Sequence, residues 1–309
     1  MIDHPNPRSS HVIPTPRGGG VAIVVTFLFG SFLLSLSGFV PARIFFVITV
    51  WGGLVALVGF VDDHRHLPAR IRFCVHVAAA IGALYYLEKF PALPWVTGSV
   101  DLGWIGYFIA VVSLVWLLNL YNFMDGIDAV AGLEAISVAG SGAFIIWYNH
   151  GAQGYAFWLL VLIAATAGFL VWNWPPAKIF MGDACSGFLG FILGVMAIAS
   201  STDGAINVWS WTILFGVFLV DATVTLIRRV FRGETFYKAH RSHAYQILCR
   251  RFCSHLKISL AVLGINLFWL FPLAFLASIF SEWGVAYMAF AFAPLIVLTV
   301  KVGAGTSND

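Results

Sequence analysis

Charge is what this chain has least of. Of 309 residues, 17 are Lys or Arg and 14 are Asp or Glu, 10% together, whereas a soluble domain carries about a quarter. So few polar side chains cannot cover a surface in water, which excludes an ordinary soluble fold. The formal net charge of +3 is too small to point to a nucleic acid as partner. Cysteine is sparse too: Cys74, Cys185, Cys249 and Cys253 have no paired spacing, so no disulfide framework is implied. The first eleven residues are polar and lack the apolar core of a signal peptide. Strand-like alternation, low-complexity tracts and internal repeats are likewise missing from the pattern.

Apolar residues fill the space instead. The chain is 60% hydrophobic with a mean hydropathy of +0.90, and it holds 28 Phe and 12 Trp. That excludes disorder and suits helices in lipid with aromatic rings at the interfaces. Apolar runs at 20–37, 43–61, 70–88, 102–120, 129–148, 154–172, 184–201, 207–227, 258–279 and 284–302 lie near the length of about 20 residues that spans a bilayer. The expected fold is therefore all-α: one polytopic membrane-embedded helical bundle over residues 1–309, with about ten transmembrane helices. If the first run goes outward, all 17 Lys and Arg except Arg43 and Lys89 fall on one side. The positive-inside rule makes that side cytoplasmic. The N-terminus then lies in the cytoplasm, and the long loop 228–257 opens with Arg228-Arg229, which suits contact with anionic lipid.

The polar motifs fall on this same side. The loop expected after the second run carries Asp62-Asp63; adjacent carboxylates at a membrane boundary repel unless a divalent cation or a proton transfer uses them. Arg65, Arg70 and Arg72 offer a plainer neutralisation. Asn119, Asn122, Asp125 and Asp128 recur every third residue, a ridge on a helix that breaks near Gly126 and that cannot face lipid. Capping by Asp125 is the alternative. Pro175-Pro176 stop the next span; Lys178 and Phe180 follow, and Gly182-Asp183 precede another helix, whose N-terminal amides favour phosphate. An Asp there holds Mg²⁺ between phosphate oxygens or acts as a plain N-cap. The long loop supplies His240, Arg241 and His243, suited to anionic oxygens. A zinc centre with Cys249 and Cys253 is the alternative, without a standard finger spacing; Ile247, Leu248 and Phe252 read better as an amphipathic surface helix. Asp221, inside a span, is either functional or a structural group of the cavity wall. Together these groups describe a site for a nucleotide diphosphate beside a membrane, with a lipid as second substrate.

In order and in sidedness the motifs resemble the polyprenyl-phosphate N-acetylhexosamine-1-phosphate transferases. The likeness runs through Asp3-His-Pro-Asn-Pro-Arg8-Ser-Ser-His11, Pro14-Thr-Pro-Arg17-Gly-Gly-Gly, Asp62-Asp63, Asn119-x-x-Asn122-Phe-Met-Asp125-Gly-Ile-Asp128, Ala177-Lys178-Ile-Phe180-Met-Gly-Asp183 and His240-Arg241-Ser-His243. It implies transfer of a sugar-1-phosphate from a UDP-N-acetylhexosamine to undecaprenyl phosphate in the bacterial inner membrane, releasing UMP. Asp183 and Asn122 match Mg²⁺-binding positions, with Mn²⁺ as a substitute. Asp62-Asp63 match paired acids that bind metal or activate the lipid phosphate. Asp125 belongs with the catalytic acids, and Asn119 and Lys178 with the substrate-binding groups. Asp128 and Phe180 match a uracil pocket, and His240, Arg241 and His243 match a loop near the diphosphate and sugar. The opening Pro-Thr-Pro-Arg-Gly-Gly resembles the branch that initiates O-antigen or other surface polysaccharides, using GlcNAc or a 6-deoxy relative such as FucNAc or QuiNAc. A homodimer is compatible with the resemblance. Its members carry one span before the Asp3–Arg17 segment, so ten spans are expected here against the eleven usual in that branch. A transporter of nucleotide-sugar or organic anion is the rival, but its site would lie near the bilayer midplane.

Overall fold

In the computed structural model, residues 2–3, 13–38, 40–65, 67–88, 90–234 and 240–306 are described. Every expected apolar run is helical. Helix α1 covers Val21–Leu36, α2 Ala42–Arg65, α3 Ala69–Leu87, α4 Gly103–Met124, α5 Val130–Tyr148, α6 Gln153–Asn173 and α7 Asp183–Thr202. Then come α8 Val208–Leu214, α9 Gly216–Phe231, α10 Ala244–Phe252, α11 His255–Ile279 and α12 Gly284–Val302. Two short antiparallel pairs, β1 (Ile2–Asp3) with β2 (Thr15–Pro16) and β3 (Leu93–Trp95) with β4 (Gly98–Val100), are the strands among the described residues.

Eight of these helices, counting the stretch from Ser281 into α12 as one, are long and apolar enough to cross a membrane, and a ninth follows if α8 and α9 form one broken span. This is a multi-pass membrane protein. Two expectations need correction. The first run gives a helix of 16 residues, about 24 Å long and short of the hydrocarbon core of about 30 Å. The run at 207–227 is bent by 74° between α8 and α9. Smaller irregularities interrupt α2 at Val47–Gly52 and α11 at Asn266–Leu270, where single π turns widen the helix. Such turns recur at functional or packed polar positions, and Asn266 sits at the start of the second.

Helix α7 is the centre of the bundle. Its side chains from Ala184 to Met196 are all buried, and it packs against α2 and α4. Small residues let the backbones approach: a Cβ on Gly190 would stand 2.4 Å from the Leu117 carbonyl oxygen, and one on Gly59 would stand 2.3 Å from that of Asp183. The second contact presses α2 against the first turn of α7. It is the packing that positions the site.

Candidate active site

A loop-and-strand seam anchors the entrance of α7. Phe180 N–H donates to the Pro16 carbonyl at 2.8 Å, and the Gly18 and Gly19 amides donate to the Phe180 carbonyl at 3.1 and 3.0 Å. Gly20 N–H donates to Met181 O at 2.9 Å, so residues 16–20 and 180–181 form one ribbon. The chain then turns at Gly182, whose φ of +83° suits glycine and whose absent Cβ would meet Asp63 Oδ2 at 2.7 Å. This ribbon brings Arg17 over the start of α7.

There the paired acids part company. Both lie in the last turn of α2 rather than in a loop, because the helix runs on to Arg65 before Pro68; both are only 6% exposed. Asp63 accepts the amides of Asp183 and Ala184 at 3.0 and 3.1 Å, one on each oxygen. It thus caps α7 from another helix, filling two of the orphan donors of a helix start. The N-cap role, the alternative reading of Asp183, is therefore taken by a residue 120 positions away. Asp62 instead accepts Leu67 N–H at 2.6 Å and pairs with Arg72.

The Arg17 guanidinium joins the two ends, with Nε 3.0 Å from Asp63 Oδ1 and a terminal nitrogen on Asp183. Arg72 also lies 3.6 Å from the other Asp183 oxygen. The Asp183 carboxyl is within hydrogen-bond reach of Asn122, whose amide donates to Ser186 Oγ at 3.1 Å. Asp125 follows the end of α4, so the expected polar ridge leaves the helix at Met124. Burial, then the neighbouring Asp183, Asp63 and Asp128 carboxylates, hold Asp125 well above the usual carboxylate range, with Arg17 opposing them. Asp62, Asp63, Asn122, Asp125 and Asp183 thus form one cluster. Arg72, which the sequence reading offered as a neutraliser of Asp62-Asp63, and Arg17, which it did not offer for this role, compensate part of its charge. The signal for Arg17 was its place in the Pro-Thr-Pro-Arg-Gly-Gly motif.

Other expected residues have partners elsewhere. Asn119 donates to its own helix at Val115 O, 2.6 Å. Both Asp128 oxygens are engaged: Ala177 N–H donates to one at 3.0 Å, and His255 Nδ1 lies 3.1 Å from the other. Asp128 therefore pins the 174–180 loop to α11, which leaves its oxygens less free for a uracil N–H than expected. Asn173 supports the same loop by donating to Ile179 O and accepting from Ala129 N–H. Lys178 stands over the Trp172 ring, 5.5 Å from its centroid. With Gly18, Gly19 and Gly168 it lines a cleft of about 660 Å³ between α1 and α6.

The His-Arg-Ser-His segment leads into α10. His240 and His243 rings stack with centroids 4.8 Å apart, and the Ser242 hydroxyl lies 3.0 Å from His240 Nδ1. Burial, reinforced by the charges of His243 and Arg229, lowers His240 to about 3. Arg241 is exposed, whereas His243 is buried. Helix α10 follows as the expected surface helix, and Tyr245 on it donates its hydroxyl to the Phe123 carbonyl at 3.0 Å. That bond docks the segment beside Asn122 and Asp125. Among the described residues no three His, Cys, Asp or Glu side chains converge closely enough to hold a metal unaided. Of the motif at the N-terminus, residues 4–12 lie outside the described residues.

Comparison with known proteins accounts for this assembly. The sequence model of glycosyl transferase family 4 matches residues 43–201, from α2 to the end of α7. A probable undecaprenyl-phosphate N-acetylglucosaminyl 1-phosphate transferase of Bacillus subtilis is 31% identical over 82% of this chain and 71% of its own. A decaprenyl-phosphate N-acetylglucosaminephosphotransferase of Mycolicibacterium smegmatis is 30% identical over 97% and 81%. A phospho-N-acetylmuramoyl-pentapeptide-transferase of Shouchella clausii is 29% identical over 76% and 75%. The likeness holds across the helices that carry the acid cluster and beyond them to the histidine segment, and this protein belongs to glycosyl transferase family 4.

Proposed function

We propose that this protein transfers an N-acetylhexosamine-1-phosphate from a UDP-sugar to undecaprenyl phosphate, at the cytoplasmic face of a bacterial inner membrane. The product would be a lipid-linked diphosphosugar that starts an O-antigen or another surface polysaccharide. One observation carries the reading: carboxylates from α2 and α7 meet Arg17 and Arg72 at one spot, beside the end of α4 that carries Asn122. Relatives whose names specify polyprenyl phosphate and a phosphosugar support it.

In the reaction, an oxygen of the lipid phosphate attacks the β-phosphorus of the donor, and the bond from that phosphorus to the bridging oxygen breaks. The electron pair leaves on UMP. The lipid phosphate is largely ionised near pH 7, its second pKa being about 6, so charge is the main obstacle. Arg241 and His240 would serve as donors to the diphosphate oxygens. His240, held neutral by burial, offers one N–H without adding charge. Arg17 ties Asp183 to Asp63, so the carboxylates keep their spacing whether or not substrate is present, the preorganisation that electrostatic catalysis needs.

The residues fit Mg²⁺. Every donor is oxygen, as a hard cation prefers, and the carboxylates of Asp62, Asp63 and Asp183 outnumber the two arginines that pair with them. Asp183 and Asn122 would hold the ion, with phosphate and water completing its shell. Bound there, it would neutralise the donor diphosphate and stabilise the leaving UMP. The test is a donor panel of UDP-GlcNAc, UDP-FucNAc, UDP-QuiNAc and UDP-GalNAc with undecaprenyl phosphate and detergent-solubilised protein. UMP release with lipid-linked product from at least one donor is expected; none from any donor rejects the reading.

A further inference from the structure

Asp221 is a buried carboxyl, 4% exposed, on α9, and nothing in the reaction above uses it. Its partners all belong to the histidine arm or to its own helix. Ala244 N–H donates to Oδ1 at 2.9 Å and Tyr245 N–H to Oδ2 at 3.0 Å. The Thr225 hydroxyl donates to Oδ1 at 3.1 Å. His243 Nδ1 lies 3.4 Å from Oδ1, an ion-pair distance without the direction of a good hydrogen bond. Asp221 therefore does for α10 what Asp63 does for α7: a carboxylate from a neighbouring helix fills the first two amides of a helix whose start carries site residues.

The consequence runs outward from α10. Tyr245, whose amide Asp221 holds, reaches Phe123 O at the end of α4. Gly126 leaves no room for error there, since a Cβ would stand 2.2 Å from the Tyr245 hydroxyl. On the other side the Gly305 amide donates to Ser242 O at 2.8 Å, which ties the arm to the chain's last described turn. His243, against Asp221, stacks beneath His240. Held at its base and at both flanks, the arm can present His240 and Arg241 at a fixed distance from the Asp183 cluster.

We propose that Asp221 is a positioning residue: by capping α10 and orienting His243, it sets the distance between the His240–Arg241 arm and the acid cluster, and so governs how the donor diphosphate is held. The kinetic part rests on the function proposed above; the structural part does not.

Two measurements on the full-length protein in detergent test it. The first is amide hydrogen exchange of the resting protein. Asp221→Ala should raise exchange in the peptide carrying Ala244 and Tyr245 by at least tenfold, while peptides from α5 and α7 keep wild-type rates. The second is steady-state kinetics with a donor that the wild type uses. Asp221→Ala should raise the donor KM by about tenfold and leave the undecaprenyl phosphate KM near its wild-type value. Asp221→Glu, which keeps two acceptor oxygens, should recover more of the donor KM than Asp221→Asn, which keeps one. A merely structural loss would lower kcat through the folded fraction, with donor KM unmoved, and that result overturns the proposal. So does wild-type exchange at Ala244 and Tyr245, or a Glu variant no better than Ala. If Asp221→Ala does not fold, Asp221→Asn carries both measurements: one amide released and an intermediate donor KM support the proposal, and wild-type values in both overturn it. If the wild type releases no UMP from any donor, the proposed function fails and the exchange result alone decides the clamp.

Discussion

Asp62 and Asp63 are adjacent in sequence and have different partners in space, which separates their effects. Asp63 spends both oxygens on helix amides, so Asp63→Ala should destabilise the fold by about 1–2 kcal/mol, the usual cost of a lost cap, and lower the Tm. Asp183→Asn keeps that cap. It should leave Tm near the wild-type value, lower activity by on the order of 10²-fold, and move the Mg²⁺ activation midpoint upward. Equal Tm losses in the two variants would contradict the division. His240 gives a pH test. Its folded value of about 3 lies below the unfolded value of about 6.5. Between these limits the unfolded chain binds more protons, so stability rises with pH and falls as pH drops below about 6.5. From pH 7.5 to 5 the Tm of the wild type should therefore fall further than that of His240→Gln; parallel curves would refute it. The residue types of the site were readable from sequence because acids and amides are expensive near lipid. Their pairings were not. The bonds from Asp63 to Asp183 and from Asp221 to Ala244 join positions 120 and 23 apart, and no local pattern encodes them. Asp128 misled for the same reason, since its role depends on where His255 falls.

Helices were the legible elements, because runs of about 18 apolar residues leave the backbone few alternatives in lipid. Their ends were less so. The charges at Asp62, Asp63 and Arg65 look like a loop, but α2 continues until Pro68 makes further helix unfavourable. The bend between α8 and α9 and the two π turns follow from packing, which hydropathy does not record. One such turn marks a polar lock inside the bundle. Asn266, at its first residue, donates to Glu134 Oε2 at 2.6 Å and to Ser137 Oγ at 2.8 Å. Glu134 Oε1 and Asn266 Oδ1 have no hydrogen-bond partner. Asn266→Leu should therefore destabilise by about 1–3 kcal/mol, because it leaves the Glu134 carboxyl unsatisfied at 0% exposure. Adding Glu134→Leu should recover part of that loss, since removing both partners is far cheaper than removing one. Thermal unfolding of the two variants in one detergent checks it, and a double variant less stable than Asn266→Leu would count against the lock.

At the scale of the whole molecule, the design places a rigid apolar bundle beneath a polar site on one surface. Helix α7 is buried along its length and cannot shift without its neighbours, so the carboxylate at its start is a fixed reference. The Arg17 ribbon is set against it, and the Asp221-capped arm docks on the neighbouring end of α4. The way the Arg17 ribbon closes over the start of α7 was not legible, because it depends on contacts between distant segments. The central claim is that this surface transfers a phosphosugar rather than a sugar. It is tested most directly with a UDP-N-acetylhexosamine carrying ³²P only in its β-phosphate, incubated with purified protein, Mg²⁺ and undecaprenyl phosphate. The account predicts that the label enters the lipid fraction, with one unlabelled UMP released per labelled lipid, and that Asp183→Asn lowers this transfer by on the order of 10²-fold. Label that stays in soluble UDP while sugar reaches the lipid would contradict it.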